Sequence, residues 1–111
     1  MSPAGTWGKA QEVLGLTTRD PDVVTLSCLS AGNCGGAGYY LLPKGGSEVF
    51  VVTEANGTWG NAAEVPGMAS LNTGLEAFPT FVSCPAAGKC AAVGYYREQS
   101  GRFEAFVVSQ T

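Results

Sequence analysis

The chain has 111 residues, so it forms at most one domain of ordinary size. Hydrophobic residues make up 45% and charged residues only 14%, which excludes a disordered chain and favours one that buries surface against partners. The net charge is −3 and the lysine and arginine residues form no basic stripe, so no nucleic-acid partner is predicted. The sequence has no apolar run near the roughly 20 residues of a membrane helix, and residues 1–5 lack the features of a signal peptide.

Two copies of one pattern organise the chain. Segment 27–40 (SCLSAGNCGGAGYY) returns at 83–96 (SCPAAGKCAAVGYY), 56 residues later. Segment 5–15 (GTWGKAQEVLG) returns at 57–67 (GTWGNAAEVPG), 52 residues later. Four extra residues therefore lie within 68–78, which we interpret as a lengthened loop. A close repeat of this period predicts a repeat architecture.

Each copy predicts short antiparallel strands. These are strand A at 24–28 and 80–84, strand B at 34–41 and 90–97, and strand C at 48–53 and 104–109. Asn56-Gly57 predicts a type I′ hairpin turn, because both of its central residues need positive φ. That turn leads into a fourth strand, D, at 58–65. Glycine and β-branched residues are dense and no 3.6-residue period appears, so no helix is predicted.

Strand C indicates how the sheets pack. Phe50 and Val52 point to one face and Val49 and Val51 to the other, so this sheet is predicted to be covered on both faces. The small residues of strand B allow a neighbouring sheet to approach closely. Small four-stranded antiparallel sheets stacked at a period near 50 residues are the blades of a β-propeller. We therefore predict an all-β fold of two four-stranded antiparallel blades.

The motifs also resemble known propeller repeats. Residues 56–59 (NGTW), following an apolar strand, resemble the turn of the Asp-box repeats of sialidase-like and photosystem-assembly-factor-like proteins, with Asn56 at the aspartate position of the box. Segments 82–84, 90–96 and 106–108 together are similar to repeats of secreted bacterial propellers. The resemblance covers nearly the whole chain and implies propeller blades and a secreted, extracellular ancestry.

The order of the strands leaves both ends incomplete. It runs D, then A-B-C-D, then A-B-C, so the last sheet lacks its D strand and the first D strand lacks its sheet. We predict that residues 1–15 close a blade of a neighbouring copy, that 16–67 form blade 1 and that 68–111 form blade 2. A closed ring of copies then has an even number of blades. Six from a trimer is implied by resemblance to two-blade lectins, and eight from a tetramer is the alternative.

The four cysteines repeat as two pairs, Cys28 with Cys34 and Cys84 with Cys90. Each pair lies at the end of strand A and the start of strand B, where adjacent antiparallel strands come within disulfide range. An even count with repeated spacing favours two disulfides and a secreted origin. Buried free thiols and metal ligands are the alternatives, although a C-x5-C pair without histidine is poor zinc spacing. We predict no metal and no cofactor.

No catalytic residue is predicted. The chain has no histidine, which excludes Ser-His and Cys-His nucleophile systems. A glycosidase needs two carboxylates that converge on one bond, whereas Glu48 repeats as Glu104 and would be spread around a ring. Sialidase-like chemistry also needs an arginine cluster, and the three arginines do not recur between the copies: Arg19, Arg97 and Arg102.

Two functions remain open. The first is a non-enzymatic scaffold that assembles with copies of itself. The second is a carbohydrate-binding module of the two-blade lectin type, because aromatic rings beside carboxylates suit sugars, whereas core packing is the other role for such rings. The candidate ligand-binding residues are Trp7, Trp59, Tyr40, Tyr96, Glu12 and Glu64.

Overall fold

The computed structural model describes residues 9–15, 22–43, 45–86 and 88–110. Its strands are β1 (Asp22–Ser30), β2 (Asn33–Leu41), β3 (Ser47–Ala55), β4 (Thr58–Trp59), β5 (Ala63–Glu64), β6 (Ala77–Ser83), β7 (Ala91–Arg97) and β8 (Phe103–Ser109). The first sheet has the order β1-β2-β3-β4, with β5 also paired to β3, and the second has the order β6-β7-β8. All pairings are antiparallel. The all-β prediction is confirmed.

The first sheet contains all four strands of the repeat, and its D strand is broken into two pieces. Both β4 and β5 pair with β3. The hairpin turn before β4 has φ values of 51° at Asn56 and 84° at Gly57, as the turn prediction requires. The Gly57 amide donates to the carbonyl of Gly32 at 2.9 Å, and this hydrogen bond joins the turn to the neighbouring β1–β2 turn. Within the described residues, the second sheet consists of strands A, B and C alone.

The connection between the sheets contains one short helix, α1 (Met68–Leu71). The prediction that the chain has no helix is wrong here, because a single helical turn is too short to show a 3.6-residue period. Asn72 fixes the turn, because its backbone amide donates to the carbonyl of Met68 at 2.8 Å. Its side chain donates to the carbonyl of Ser47 and accepts from the amide of Glu76. Within the described ranges, no helix could cross a membrane.

The two sheets pack face to face. Val49 and Val65 of the first sheet lie in one cluster with Tyr96 and Phe106 of the second. On the opposite side of the first sheet, Phe50 belongs to a separate cluster with Tyr40, Val52 and Ala62. Val49 and Phe50 are both 0% exposed. The prediction that strand C of the first sheet is covered on both faces is therefore confirmed.

Polar contacts also hold the sheets together. The Ser47 hydroxyl accepts from the Ala77 amide and donates to its carbonyl, both at 3.0 Å. Farther along the interface, the Cys84 amide donates to the Ser27 hydroxyl at 3.1 Å. Since the contact is both apolar and hydrogen-bonded, it fixes one relative position of the two sheets.

Both predicted disulfides are present, Cys28–Cys34 and Cys84–Cys90, each with a Cα–Cα distance of 4.0 Å. Gly35 lies directly against the second disulfide. A Cβ at Gly35 would lie 2.7 Å from both sulfurs, so glycine permits the close approach of the sheets at this point.

We expect the second disulfide to contribute more to stability than the first. Replacing Cys84 and Cys90 by alanine removes a loop closure worth about 2 kcal/mol and also empties the buried site of Cys84 beside Gly35. The matched control replaces Cys28 and Cys34 by alanine. Because Cys28 is exposed, this variant should lose only the free energy of the loop closure. Urea unfolding measures both losses. Equal losses, or free thiols in the unfolded, unreduced wild-type chain, would contradict the prediction.

Candidate functional site

Each sheet has two faces that correspond between the repeats. We call the side of the first sheet that packs on the second sheet its forward face. It carries Thr25, Ala37, Val49 and Val51, and the residues 56 positions later, Phe81, Val93, Ala105 and Val107, form the forward face of the second sheet. The opposite side is the rear face. It carries Leu26, Tyr40, Phe50 and Val52 in the first sheet and Val82, Tyr96, Phe106 and Val108 in the second.

Within the chain, the forward face of the first sheet packs on the rear face of the second. The two sheets therefore stack head to tail, with both forward faces directed toward the same end of the stack. One forward face and one rear face have no sheet against them in the described part of the chain, and they lie at opposite ends of the two-sheet stack. These are the surfaces by which a further sheet could add to either end.

The forward face of the second sheet is an exposed apolar surface. Phe81 is 61% exposed and Val107 is 77% exposed. Val93 lies directly opposite both of them, so the three side chains form a stripe across β6, β7 and β8. Tyr95 and Phe103 extend this surface, with ring centroids 5.7 Å apart. A contiguous apolar patch of this kind is typical of a site of protein association or ligand binding.

The rear face of the first sheet is partly covered by the chain's own N-terminal segment, residues 9–15. Val13 packs against the cluster of Tyr40 and Phe50. In the same way, Val65 packs against Tyr96 and Phe106. Val13 and Val65 correspond at the 52-residue offset. Val13 therefore contacts the first sheet at the place where a D-strand residue of a preceding sheet would lie.

Other details agree with this position of the N-terminal segment. The carbonyl of Leu14 accepts from the amide of Ala62 at 2.6 Å. Residues 9–15 form no strand in the chain, and Leu26 beside them stays 56% exposed. The prediction that residues 1–15 close a blade of another copy stays a prediction, and residues 1–8 lie outside the described part.

A groove of about 540 Å³ opens between the two sheets. The first sheet contributes Val51, Thr53, Asn61, Ala63 and Pro66 to its lining, and the second contributes Val82, Ala92, Val108, Ser109 and Gln110. It extends across the rear face of the second sheet from Val82 to the end of β8 at Ser109. Val108 is only partly buried, whereas its counterpart Val52 is covered by Trp59 and Ala62. Within the described residues, the edge of β8 beside this groove has no strand that corresponds to β4 and β5.

A buried polar cluster lies at the end of the rear face of the first sheet. Burial, together with the nearby carboxylates of Glu64 and Glu48, raises the pKa of Tyr40 to about 12. Burial also raises the pKa of Glu48, although hydrogen bonds from the Val49 amide and the Asn72 side chain oppose this shift. Because these groups are packed and mutually bonded, the cluster is suited to holding β2, β3 and β5 together.

The structure brings some of the predicted ligand-binding residues together. Glu12 and Trp59 line a groove of about 280 Å³ with Lys9, Val13 and Leu26. Glu64 accepts a hydrogen bond from Tyr40, but the Tyr40 ring is buried. Tyr96 is buried in the second sheet and does not line the groove of Glu12 and Trp59. Trp7 lies outside the described residues.

Two stacked blades are predicted to expose an apolar face at each end, but the candidate ligand-binding residues do not include those of the forward face of the second sheet. The signal was available in a comparison of the two copies. At three corresponding forward positions the first copy has Thr25, Ala37 and Ser47, and the second has Phe81, Val93 and Phe103. Larger apolar side chains on a face that has no partner sheet among the described residues are typical of a surface for association or ligand binding.

Comparison with protein-family models, with curated proteins and with solved structures finds no significant match. Inference about function therefore depends on the chain's own faces and grooves.

The polar cluster predicts an alkaline transition. Because the folded pKa of Tyr40 is raised above its ordinary value of 10, its contribution to stability is complete below pH 10 and is lost as the pH rises through about 12. Phenolate absorbance of the wild type minus that of a Tyr40→Phe variant isolates this residue. The Glu64→Gln variant should lower the pKa of Tyr40 but leave it above 10, since burial is the largest cause. An unchanged transition in that variant would contradict the predicted role of Glu64.

Proposed function

We propose that the protein is a non-enzymatic propeller-type module that assembles with copies of itself, head to tail, as a structural scaffold. The forward face of the second sheet in one copy packs on the rear face of the first sheet in the next. The observation that carries this proposal is that the exposed stripe of Phe81, Val93 and Val107 corresponds, residue for residue, to the face that the first sheet already buries within the chain.

The residues that would meet between copies are complementary. Within the chain, the Val82 amide donates to the Thr25 hydroxyl. The corresponding contact between copies would join Phe81 to Leu26, and both side chains are largely exposed in the single chain. An inter-chain contact would therefore replace a polar contact by an apolar one. Burial of two such side chains is worth about 3 kcal/mol or more.

One hydrogen bond of the internal interface can be repeated between copies. The Ser27 hydroxyl accepts from the Cys84 amide within the chain, and the corresponding groups are the exposed Ser83 hydroxyl and the Cys28 amide of the next copy. One position departs from the correspondence. Gly35, which lies on the Cys84–Cys90 disulfide, is replaced by Ala91. The added methyl group would hold the Cys28–Cys34 disulfide of the next copy slightly farther away.

Each copy adds two sheets to the stack, so a closed ring has six blades as a trimer or eight as a tetramer. Propeller curvature favours closure, since a head-to-tail contact that does not close continues as a fibre. The two incomplete ends of the chain also favour closure, because in a ring every sheet face is covered and the open edge of β8 gains a partner strand.

Charge in the forward stripe should prevent assembly. We expect Val107→Glu to raise the dissociation constant at least about 100-fold, because an unpaired carboxylate buried in an apolar contact costs roughly 3 kcal/mol or more. The matched control is Leu71→Glu, which changes an exposed apolar residue on α1, away from both faces. Sedimentation equilibrium measures the masses of the wild type and both variants.

The wild type and the control should sediment as a trimer or tetramer and Val107→Glu as a monomer. A compact wild-type monomer would refute the assembly proposal. Equal effects of both glutamates would show that the forward stripe is not the contact.

Carbohydrate binding is the second candidate, and the small groove that joins Trp59 to Glu12 favours it. Trp59 is only partly buried, and an indole ring beside a carboxylate suits a sugar ring. Titration of tryptophan fluorescence with simple sugars should then show a saturable change that Trp59→Ala, but not Leu71→Glu, abolishes. The absence of any change at millimolar sugar would remove this candidate, and turnover of a glycoside would contradict the non-enzymatic proposal.

A further inference from the structure

We propose that the open edge of β8 receives the N-terminal strand of a second copy in one register, with Gln11 opposite Val107 and Glu12 opposite Phe106. In that register the Glu12 side chain lies beside Tyr96 and Arg102 of the receiving chain. This inference rests on the head-to-tail assembly proposed above and adds a specific exchange of strands to it.

The register follows from the first sheet. There β5 pairs with β3 through Ala63 opposite Val51 and Glu64 opposite Phe50. The residues 52 positions before Ala63 and Glu64 are Gln11 and Glu12, and those 56 positions after Val51 and Phe50 are Val107 and Phe106. β8 is an edge strand in the described structure, so its free backbone groups can accept an added strand.

The chain does not pair this edge with its own residues 9–15. Residues 9–15 lie on the rear face of the first sheet, where Val13 is anchored by Tyr40 and Phe50. The second sheet is on the opposite side of that sheet. When the second sheet of another copy stacks on the same rear face, its β8 edge comes beside residues 9–15. Val13 then keeps its present contact while its neighbours pair with the added edge.

The charges near the start of β8 suit a carboxylate. In the first sheet Glu64 accepts a hydrogen bond from Tyr40, close to the carboxylate of Glu48. In the second sheet the corresponding positions are Tyr96 and Glu104, and Arg102 binds the Glu104 carboxylate at 2.7 Å. Arg102 has a side chain 75% exposed and can bind a second carboxylate. The corresponding residue in the first sheet is Gly46. Arg102 is therefore found only on the sheet that has no D strand among the described residues.

Site-directed cross-linking between two different variants tests the register. A Gln11→Cys chain is mixed with a Val107→Cys chain under mild oxidation, and the product is identified by non-reducing electrophoresis and peptide mass. The control pairs Gln11→Cys with Ala105→Cys, which lies on the same face but two residues away along β8. We expect the 11–107 link to form at least about ten times faster than the 11–105 link, because cross-strand disulfides require Cα atoms within about 7 Å.

Equal rates, or faster linkage to position 105, would overturn the proposed register. An assembly of trimer or tetramer mass that forms neither link would overturn the strand exchange and leave the stacking of faces intact. A wild-type monomer would overturn both proposals.

A charge reversal tests the role of Glu12. Glu12→Arg should weaken assembly by roughly threefold or more at low salt, because two cations then meet at Arg102. The double variant Glu12→Arg with Arg102→Glu restores opposite charges and should recover most of the loss. No recovery in the double variant would overturn the pairing of Glu12 with Arg102, even if the cross-link forms.

Discussion

The contact of one sheet's forward face with another sheet's rear face determines the rest of this structure. A strand such as β3, apolar on both sides, is stable only when both of its faces are covered. Two sheets in one chain provide one such contact, and within the described residues one face of each sheet has no partner sheet. The N-terminal segment covers part of one of these faces through Val13, and Phe81 and Val107 are exposed on the other. The same physical requirement that packs the chain thus also favours its association.

Much of the fold could be predicted from the sequence because the repeat is close and its signals are local. The Asn56-Gly57 turn, the two hairpin disulfides and the two apolar sides of strand C all depend on residues near one another in the chain. The boundaries of β1 and β3 extend a little beyond the predicted ranges, since backbone pairing continues past the apolar residues that identify each strand.

The remaining features depend on contacts that a pattern does not contain. Helix α1 is held by Asn72, whose side chain donates to the carbonyl of Ser47 in β3, 25 residues away in the sequence. The breadth of the exposed stripe becomes visible only when the register places Phe81, Val93 and Val107 side by side. The interpretation of Tyr40 and Tyr96 as ligand residues used their repetition. The structure places both rings in the interior, where repetition reflects equivalent packing.

Helix α1 has a consequence for the symmetry of any closed assembly. It follows the first sheet of each chain, within a connection that is four residues longer than the corresponding connection after residues 5–15. Neighbouring blades in a ring would therefore differ in outline, and the rotational order would be half the blade number. A molecule that binds α1 would therefore be present in three copies on a trimer or four on a tetramer, at every second blade of the ring.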